Sequence, residues 1–520
     1  MPLYKVNVKW GKNKYDDIQT NTDEPPELLK AQLFALSGVP PDRQKLMIKG
    51  KTIQDAAWGD VKVADGATIM MMGSADALPA GPPSQGPGKG QGAAESSEHE
   101  DHDSEMPLGL ANLGNTCYLN ATLQCLRAVP EVRKALKQYK GKFVGWDSET
   151  NKAQSLTSAL KMLYDEMDNY PEQVIPVVMV ESLRRAYPRF AETGERGAYV
   201  QQDANEAWTE LISNLRSQLP NVMPVERGGA FLSGRHLTAE SSGPLSSINN
   251  VIEQYMYGEL EVTMKCKESD TEPEVRSKEK FLQLSCFISQ DVRYLQAGLQ
   301  NRMKETIVKR AETLGRDAEF DKILKLTRLP AHLTVQLIRF FYKERAAVGA
   351  KILKDVKFSM NLDVFDLCSE ELQKKLTPQR LQFKAYEEAE MERVVKKAKQ
   401  GEKHEPNSGG SVKYAPYWFE NDVGSNNSGY YELEAVLTHQ GRTSNSGHYV
   451  AWIRRTPEVW MKFDDDTVTA VSTEEVLKLS GGGDWHCAYI LLYGPRRLPL
   501  LPPEESEKKV SQMNPDIPMD

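Results

Sequence analysis

Residues 74–105, "SADALPAGPPSQGPGKGQGAAESSEHEDHDSE", hold Gly, Pro, Ser and acid and almost nothing a core could bury. Such a segment cannot offset the entropy lost on ordering, so its composition predicts a flexible linker. Whatever folds in this 520-residue chain must fold on either side of it. Length alone suggests about three domains, or one large domain with an appendage. Composition places a unit at 1–75, the linker at 76–105, a large domain at 106–495 and a loose, Pro-rich tail at 496–520. The "HEDHD" run in the linker could hold a metal but reads as a solvated charge run.

"LYKVNVKW" alternates like a strand. In "PPELLKAQLFALSGVPP", Leu28, Leu29, Leu33 and Leu36 fall at helical spacing before Gly38. "QKLMIKGKTI" reads as strand, turn, strand, and "ATIMMM" as a last apolar strand. This order resembles the ubiquitin fold, a β-grasp. The unit ends in "MMMGSADALPAG" rather than Gly-Gly, which implies a fixed ubiquitin-like domain that cannot be conjugated. The resemblance puts Met47, Met70 and Met72 on the patch such folds expose for partner binding, where adaptable Met side chains are useful. The plainer reading makes them partly buried strand residues.

The net charge of −8 argues against a general nucleic-acid binder, which needs a basic excess to neutralise phosphates. No run of about 18 apolar residues exists to span a bilayer. The start, "MPLYKVNVKW", lacks a signal peptide's apolar core. None of the six cysteines pairs as CxxC, so a zinc ribbon is not expected. A reduced cytoplasmic protein, also nuclear, is the expectation.

"GLANLGNTCYLNATLQCL", 109–126, sets Cys117 after a Gly/Asn turn and at the mouth of an apolar helical stripe of Leu119, Leu123, Cys125 and Leu126. The first amides of a helix and its dipole stabilise a thiolate, the nucleophilic form. Asn112, Gly114 and Asn115 suit a tight turn and could donate to a developing oxyanion. "NAT" at Asn120 matches a glycosylation pattern but sits inside the apolar run. Alone, Cys117 reads as a small buried hydrophobe. A second stretch changes the balance. "YYELEAVLTHQGRTSNSGHYVAWIRR", 430–455, flanks a polar loop with two strand-like runs, and His448 opens the second. "EVWMKFDDDTVTAV", 458–471, then offers carboxylates that could fix an imidazole tautomer.

These two stretches resemble the cysteine and histidine boxes of the ubiquitin-specific proteases, papain-like deubiquitinases. "QQDANEAW", "RLPAHLTVQLIRFFY", "KFSMNLDVFDL" and "CAYILLYGPR" match that family's intervening boxes in order over 106–495. The resemblance implies an α+β chain: a β-grasp domain, a linker, and a protease of fingers, palm and thumb. With its ubiquitin-like domain the chain is most similar to family members that work at the proteasome. Carried over, Cys117 is the nucleophile, His448 the base, Asp464 the orienting acid and Asn112 an oxyanion donor. Asp465 is the rival to Asp464, and strand alternation lets only one of the two face the histidine. Asp203, Glu206, Gln202 and Tyr449 are the expected contacts to the ubiquitin tail. Asp203 and Glu206 would share a helix face at i and i+3. Family members with zinc ribbons in the fingers carry two CxxC pairs, whereas Cys266 stands alone here, so fingers held by packing are expected. Cys286 and Cys368 read as core thiols.

The implied partners are ubiquitin, its conjugates and the 26S proteasome regulatory particle, with no nucleic acid, no cofactor and no metal. The polar loop 439–447 is the expected gate, and the charged then polar stretch 385–429 an insertion. A non-catalytic ubiquitin receptor on the proteasome, or a protease for another ubiquitin-like modifier, are the competing readings.

Overall fold

The computed structural model describes residues 106–500 apart from 145–150, 170–173, 195–196, 226–247, 344–347, 401–412 and 444–445, together with parts of 3–72. The expected linker, its "HEDHD" run and residues 501–520 lie outside the described residues. The chain divides into two compact units, Met1–Glu100 and Asp101–Asp520.

In the first unit, β1 (Leu3–Trp10), β2 (Asn13–Asn21), β3 (Lys45–Ile48), β4 (Lys51–Ile53) and β5 (Thr68–Met72) form one sheet in the order β2-β1-β5-β3-β4. Strands β1 and β5 pair in parallel; the other pairs are antiparallel. Alternation sends Val6, Val8, Leu46, Ile48, Ile69 and Met71 inward, where Leu29 and Leu33 cover them. This is the expected β-grasp. Leu28 and Leu36 lie outside the described residues. The same alternation puts Met70 (52%) and Met72 (51%) in solvent. Half-buried Met47 stands opposite Met70 in the β3–β5 register.

The second unit opens with helices α1 (Cys117–Arg127), α2 (Pro130–Gln138), α3 (Lys152–Asn169), α4 (Val177–Ala186) and α5 (Ala204–Gln218). Leu119, Leu123 and Leu126 of α1 join Leu160, Trp208 and Ile212 in their shared core. A four-stranded antiparallel sheet follows, ordered β7 (Val275–Phe281), β6 (Gly258–Cys266), β10 (Arg316–Arg328) and β9 (Lys304–Ala311). Its far end closes on a small cluster of Cys266, Ala311, Ala318 and Phe320. Burial pushes the Cys286 thiol up to about 11 and Cys368 up to about 12, so both stay protonated core groups.

The large sheet runs β18 (Thr467–Ser472), β17 (Val459–Asp464), β16 (Ser446–Arg454), β15 (Tyr430–Thr443), β19 (Cys487–Pro495), β11 (Leu333–Ile338) and β8 (Gln283–Phe287), with β14 (Asn361–Asp363) pairing β15 outside this order, while β12 (Phe340–Lys343) and β13 (Val348–Lys351) pair with each other. Its two faces meet two different cores. Leu437, Tyr449 and Ala451 pack with the helices, while Val436, Val450 and Trp452 pack on the other side. Burial on both faces makes "CAYILLYG" one unbroken apolar run.

Helix α6 (Glu370–Gln400) begins well before residue 385, with two acids in its first turn. Leu372, Leu376, Phe383 and Ala389 bury its inner side. Beyond it, Tyr417, Trp418 and Val423 enter the helix-side core, and buried Asn426 donates to the Tyr430 carbonyl. The described part of 385–429 is therefore built into the domain on both sides of 401–412.

A buried ionic group ties the helices to the sheet. His332, just before β11, has Nε2 at 2.9 Å from Glu131 of α2 and Nδ1 at 3.1 Å from Glu434 of β15. The Tyr417 hydroxyl and the Val225 amide also donate to Glu131. Burial disfavours the imidazolium, but the two carboxylates outweigh it and raise His332 from 6.5 to about 9. Because the folded value is the raised one, the clamp's contribution is complete below 6.5 and fades as pH climbs through 9. In denaturant titrations across that window, wild type should lose up to about 1.4 kcal/mol per pH unit relative to His332→Gln. The variant should be the less stable at pH 6.5 and lack this slope.

Candidate active site

Cys117 is the first residue of α1, and its N-cap, Thr116, makes no side-chain capping bond. The Thr116 hydroxyl instead accepts from the Leu113 amide at 2.9 Å, and Asn112 Oδ1 accepts from the Gly114 amide at 2.9 Å. Gly114 (φ 91°) and Asn115 (φ 55°) are both left-handed, a conformation that glycine and asparagine adopt most readily. The turn is anchored across the cleft by Asn115 Nδ2 on the Tyr199 carbonyl. Amides of the first helical turn have no intrahelical acceptor, so this end of α1 presents donors.

His448 stands at the start of β16 after Gly447 (φ 129°). A side chain at Gly447 would collide with the Gln440 carbonyl and the His439 ring. The His448 Nε2 lies 2.6 Å from Asp464 Oδ1, and Lys462 Nζ lies 3.0 Å from Asp464 Oδ2. Hydrogen bonds to Asp464 and then to Cys117 raise His448 from 6.5 to about 10. The bond from His448, helped by Lys462, holds Asp464 far below the usual carboxylate range. At neutral pH the imidazole is a cation between a carboxylate and the thiol. Such a group can stabilise a thiolate and deliver a proton.

Adjacent Asp465 lies in the turn beyond the strand, with a carboxylate oxygen within 4.8 Å of both His448 and Asp464, but its hydrogen bonds run elsewhere. It is left-handed (φ 54°), accepts from Asn112 Nδ2 at 2.9 Å and from Asn120 Nδ2 at 2.8 Å, and takes the Leu110 amide on its carbonyl. Asn120 also reaches the Leu110 and Ala111 carbonyls and is 2% exposed, so its "NAT" pattern is packed inside the fold. Asn112 keeps a second N–H for a ligand.

The expected tail-binding set sits differently. Asp203 is the N-cap of α5 rather than part of its face. Its carboxylate accepts from the Asn205 amide and from the Tyr489 hydroxyl at 2.9 and 3.0 Å, and burial pushes it up. Gln202 (9%) and Tyr449 (1%) are buried. Glu206 alone is at the surface, 3.6 Å from Arg189. Sequence reasoning did not single out Lys462, Tyr489 or His439. Lys462 had a signal, since it lies two residues before Asp464 and hence on the same face of the strand. His439 is fully buried against Phe340 and Tyr449, and burial lowers it to about 3. The expected gating loop is largely strand, with β15 reaching Thr443 and β16 starting at Ser446.

Residues 108–493 match the ubiquitin carboxyl-terminal hydrolase family, and residues 6–76 match the ubiquitin family. The chain belongs to the ubiquitin carboxyl-terminal hydrolases. It is 39% identical to ubiquitin carboxyl-terminal hydrolase 14 of Caenorhabditis elegans over 97% of this chain and 96% of that protein. It is 37% identical to hydrolase 6 of Arabidopsis thaliana, over 94% and 98%. It is 35% identical to hydrolase 6 of Schizosaccharomyces pombe, again over 94% and 98%. It is thus a thiol-dependent deubiquitinase that acts on ubiquitin conjugates.

Two outcomes follow from the placement of the acids. Asp203→Ala should cost about 1–3 kcal/mol in chemical denaturation, through the lost cap and the stranded Tyr489 hydroxyl, whereas Glu206→Ala should stay within about 0.5 kcal/mol of wild type. Asp465→Ala should cut kcat on a fluorogenic ubiquitin amide by about tenfold or more, with KM and iodoacetamide labelling of Cys117 little changed.

Proposed function

We propose that this deubiquitinase works at the proteasome and that Cys117, His448 and Asp464 carry its chemistry. The observation behind the catalytic assignment is the single imidazole hydrogen-bonded to both Asp464 and Cys117. The Cys117 thiolate attacks the carbonyl carbon of the last ubiquitin glycine. The oxyanion takes hydrogen bonds from the Cys117 amide and the free N–H of Asn112, which Asp465 aims. The His448 imidazolium gives its proton to the departing lysine amine, leaving a thioester. Neutral His448 then removes a proton from water, which attacks the thioester and frees ubiquitin and the thiol. Asp464 keeps the ring oriented throughout, and Lys462 steadies Asp464.

The ubiquitin tail is basic, and exposed Glu206 is the acid best placed to pair with it. Asp203, Gln202 and Tyr449 act from behind by fixing the wall of its channel. Recruitment rests on the ubiquitin-like domain, where Met70 and Met72 are half exposed beside Met47, a patch suited to a regulatory-particle subunit. The loop 439–447, the expected gate, is the element that docking would shift to raise activity. Such an enzyme would reside in the cytoplasm and nucleus.

Hydrolysis of a fluorogenic ubiquitin amide, measured with and without proteasome stripped of its own deubiquitinases, tests this. Proteasome should raise the wild-type rate about tenfold or more, and Met70→Glu/Met72→Glu should abolish the rise while leaving the basal rate intact. Asp464→Ala should lower kcat/KM on the order of a hundredfold or more in both conditions. A wild-type rate indifferent to proteasome would refute the recruitment reading and leave the chemistry standing.

A further inference from the structure

His486, directly before β19, packs its ring against that of His448, with the centroids 6.0 Å apart and the planes at 68°. Its own position is tightly fixed. The Thr438 hydroxyl donates to the Val450 carbonyl at 3.2 Å and accepts from Trp452 Nε1 at 3.0 Å. A hydroxyl has one proton and two lone pairs, so the lone pair that remains takes His486 Nδ1–H at 3.2 Å. The backbone around the ring is tied as well. Buried Arg339 donates to the Ser480 carbonyl at 2.7 Å and the Ala488 carbonyl at 2.6 Å, on either side of His486. The Cys487 thiol donates to the Trp485 carbonyl at 3.3 Å. His486 also walls a recess of about 590 Å3, together with Trp452, Lys462, Leu479 and Trp485, whereas His448 does not line it.

In the resting site His448 is hydrogen-bonded to both Asp464 and Cys117. The second bond is lost once the sulfur is acylated, because a thioester sulfur has no proton to give and accepts hydrogen bonds weakly. The bond to Asp464 then holds the imidazole at one corner and leaves it free to turn about that bond. The lateral contact with His486 is the constraint that remains, and without it the ring has space to turn into. We propose that His486 is a positioning residue, whose fixed ring holds His448 in line while the enzyme thioester is hydrolysed. The proposal rests on Cys117, His448 and Asp464 as the catalytic set. In this step His448 takes a proton from water and the water oxygen bonds to the carbonyl carbon. The C–S bond breaks, and the proton passes from His448 to the leaving Cys117 sulfur. Misplacing the base by about 1 Å can slow such a transfer about a hundredfold. The first step is less sensitive, because the thiolate itself helps to hold the imidazolium.

The test is turnover of a ubiquitin C-terminal thioester of mercaptoethanesulfonate by the full chain, with stripped proteasome present. Its good leaving group makes hydrolysis of the enzyme thioester the slow step. His486→Ala should lower kcat about tenfold or more and KM in parallel, leaving kcat/KM within about threefold of wild type. Acid-quenched mixtures should then contain ubiquitin linked to Cys117 as a thioester. Ubiquitin vinyl sulfone, which reports attack by the sulfur alone, should label this variant at close to the wild-type rate, and its melting temperature should be unchanged. His486→Phe restores a ring and should recover kcat to within about threefold of wild type. His486→Gln offers Thr438 a donor but no ring, and should behave as His486→Ala does. Wild-type kcat in His486→Ala would overturn the proposal, as would equal losses of kcat/KM and labelling in the Ala and Phe variants. Absence of vinyl sulfone labelling at Cys117 in wild type would refute the catalytic assignment and this proposal with it.

Discussion

Everything at the catalytic centre depends on one turn, the junction of β17 and β18 at Asp464 and Asp465. Two consecutive carboxylates there serve opposite clients. Asp464 holds the histidine of β16, and Asp465 holds Asn112 and Asn120 from the loop and helix that present Cys117. The helix bundle and the sheet approach from different parts of the chain, and this turn sets Cys117 and His448, the proposed nucleophile and base, in register. The geometry requires Asp465 to be left-handed, which an aspartate tolerates better than most residues. It also requires Gly109, where a side chain would strike the backbone of Asp465 and Asp466.

Charge runs through the same design. His448 is kept cationic by what it touches, while His439, one strand away, is kept neutral by burial and the nearby Lys351 ammonium. His486, whose ring lies 6.0 Å from that of His448, is likewise lowered to about 4, first by burial and then by the His448 charge. Of these three histidines, His448 is the one favoured to carry a second ring proton, and so a positive charge, at neutral pH. Farther back, His332 between two glutamates fastens the helices that the turn depends on.

Much of this was legible in the sequence. The β-grasp order followed from alternation in "LYKVNVKW" and "ATIMMM", and the Cys, His and Asp boxes carried their own spacing. Strand alternation suggested that only one of Asp464 and Asp465 could face the histidine, but the strand ends at Asp464, and the Asp465 carboxylate in the turn also lies within 4.8 Å of His448. Its bond to Asn112, across 353 positions, leaves no local signature. Asp203 misled for a definite reason. Asp is among the best N-cap residues, and a cap three positions before Glu206 looks the same in sequence as a surface pair. Residues 385–429 looked like an insertion because their surface is polar. Burial of Tyr417, Trp418 and Asn426 depends on partners far along the chain.

The most direct measurement is covalent capture. Wild-type chain would be reacted with ubiquitin bearing a C-terminal vinyl sulfone, with proteasome added where needed, and the adduct mapped by peptide mass spectrometry. One ubiquitin on Cys117, with the other five cysteines unmodified and labelling much slowed in Asp464→Ala, is the result expected from a nucleophile held beside its base by this turn. An adduct on another cysteine, or full-speed labelling of Cys117 after the loss of both Asp464 and Asp465, would contradict it.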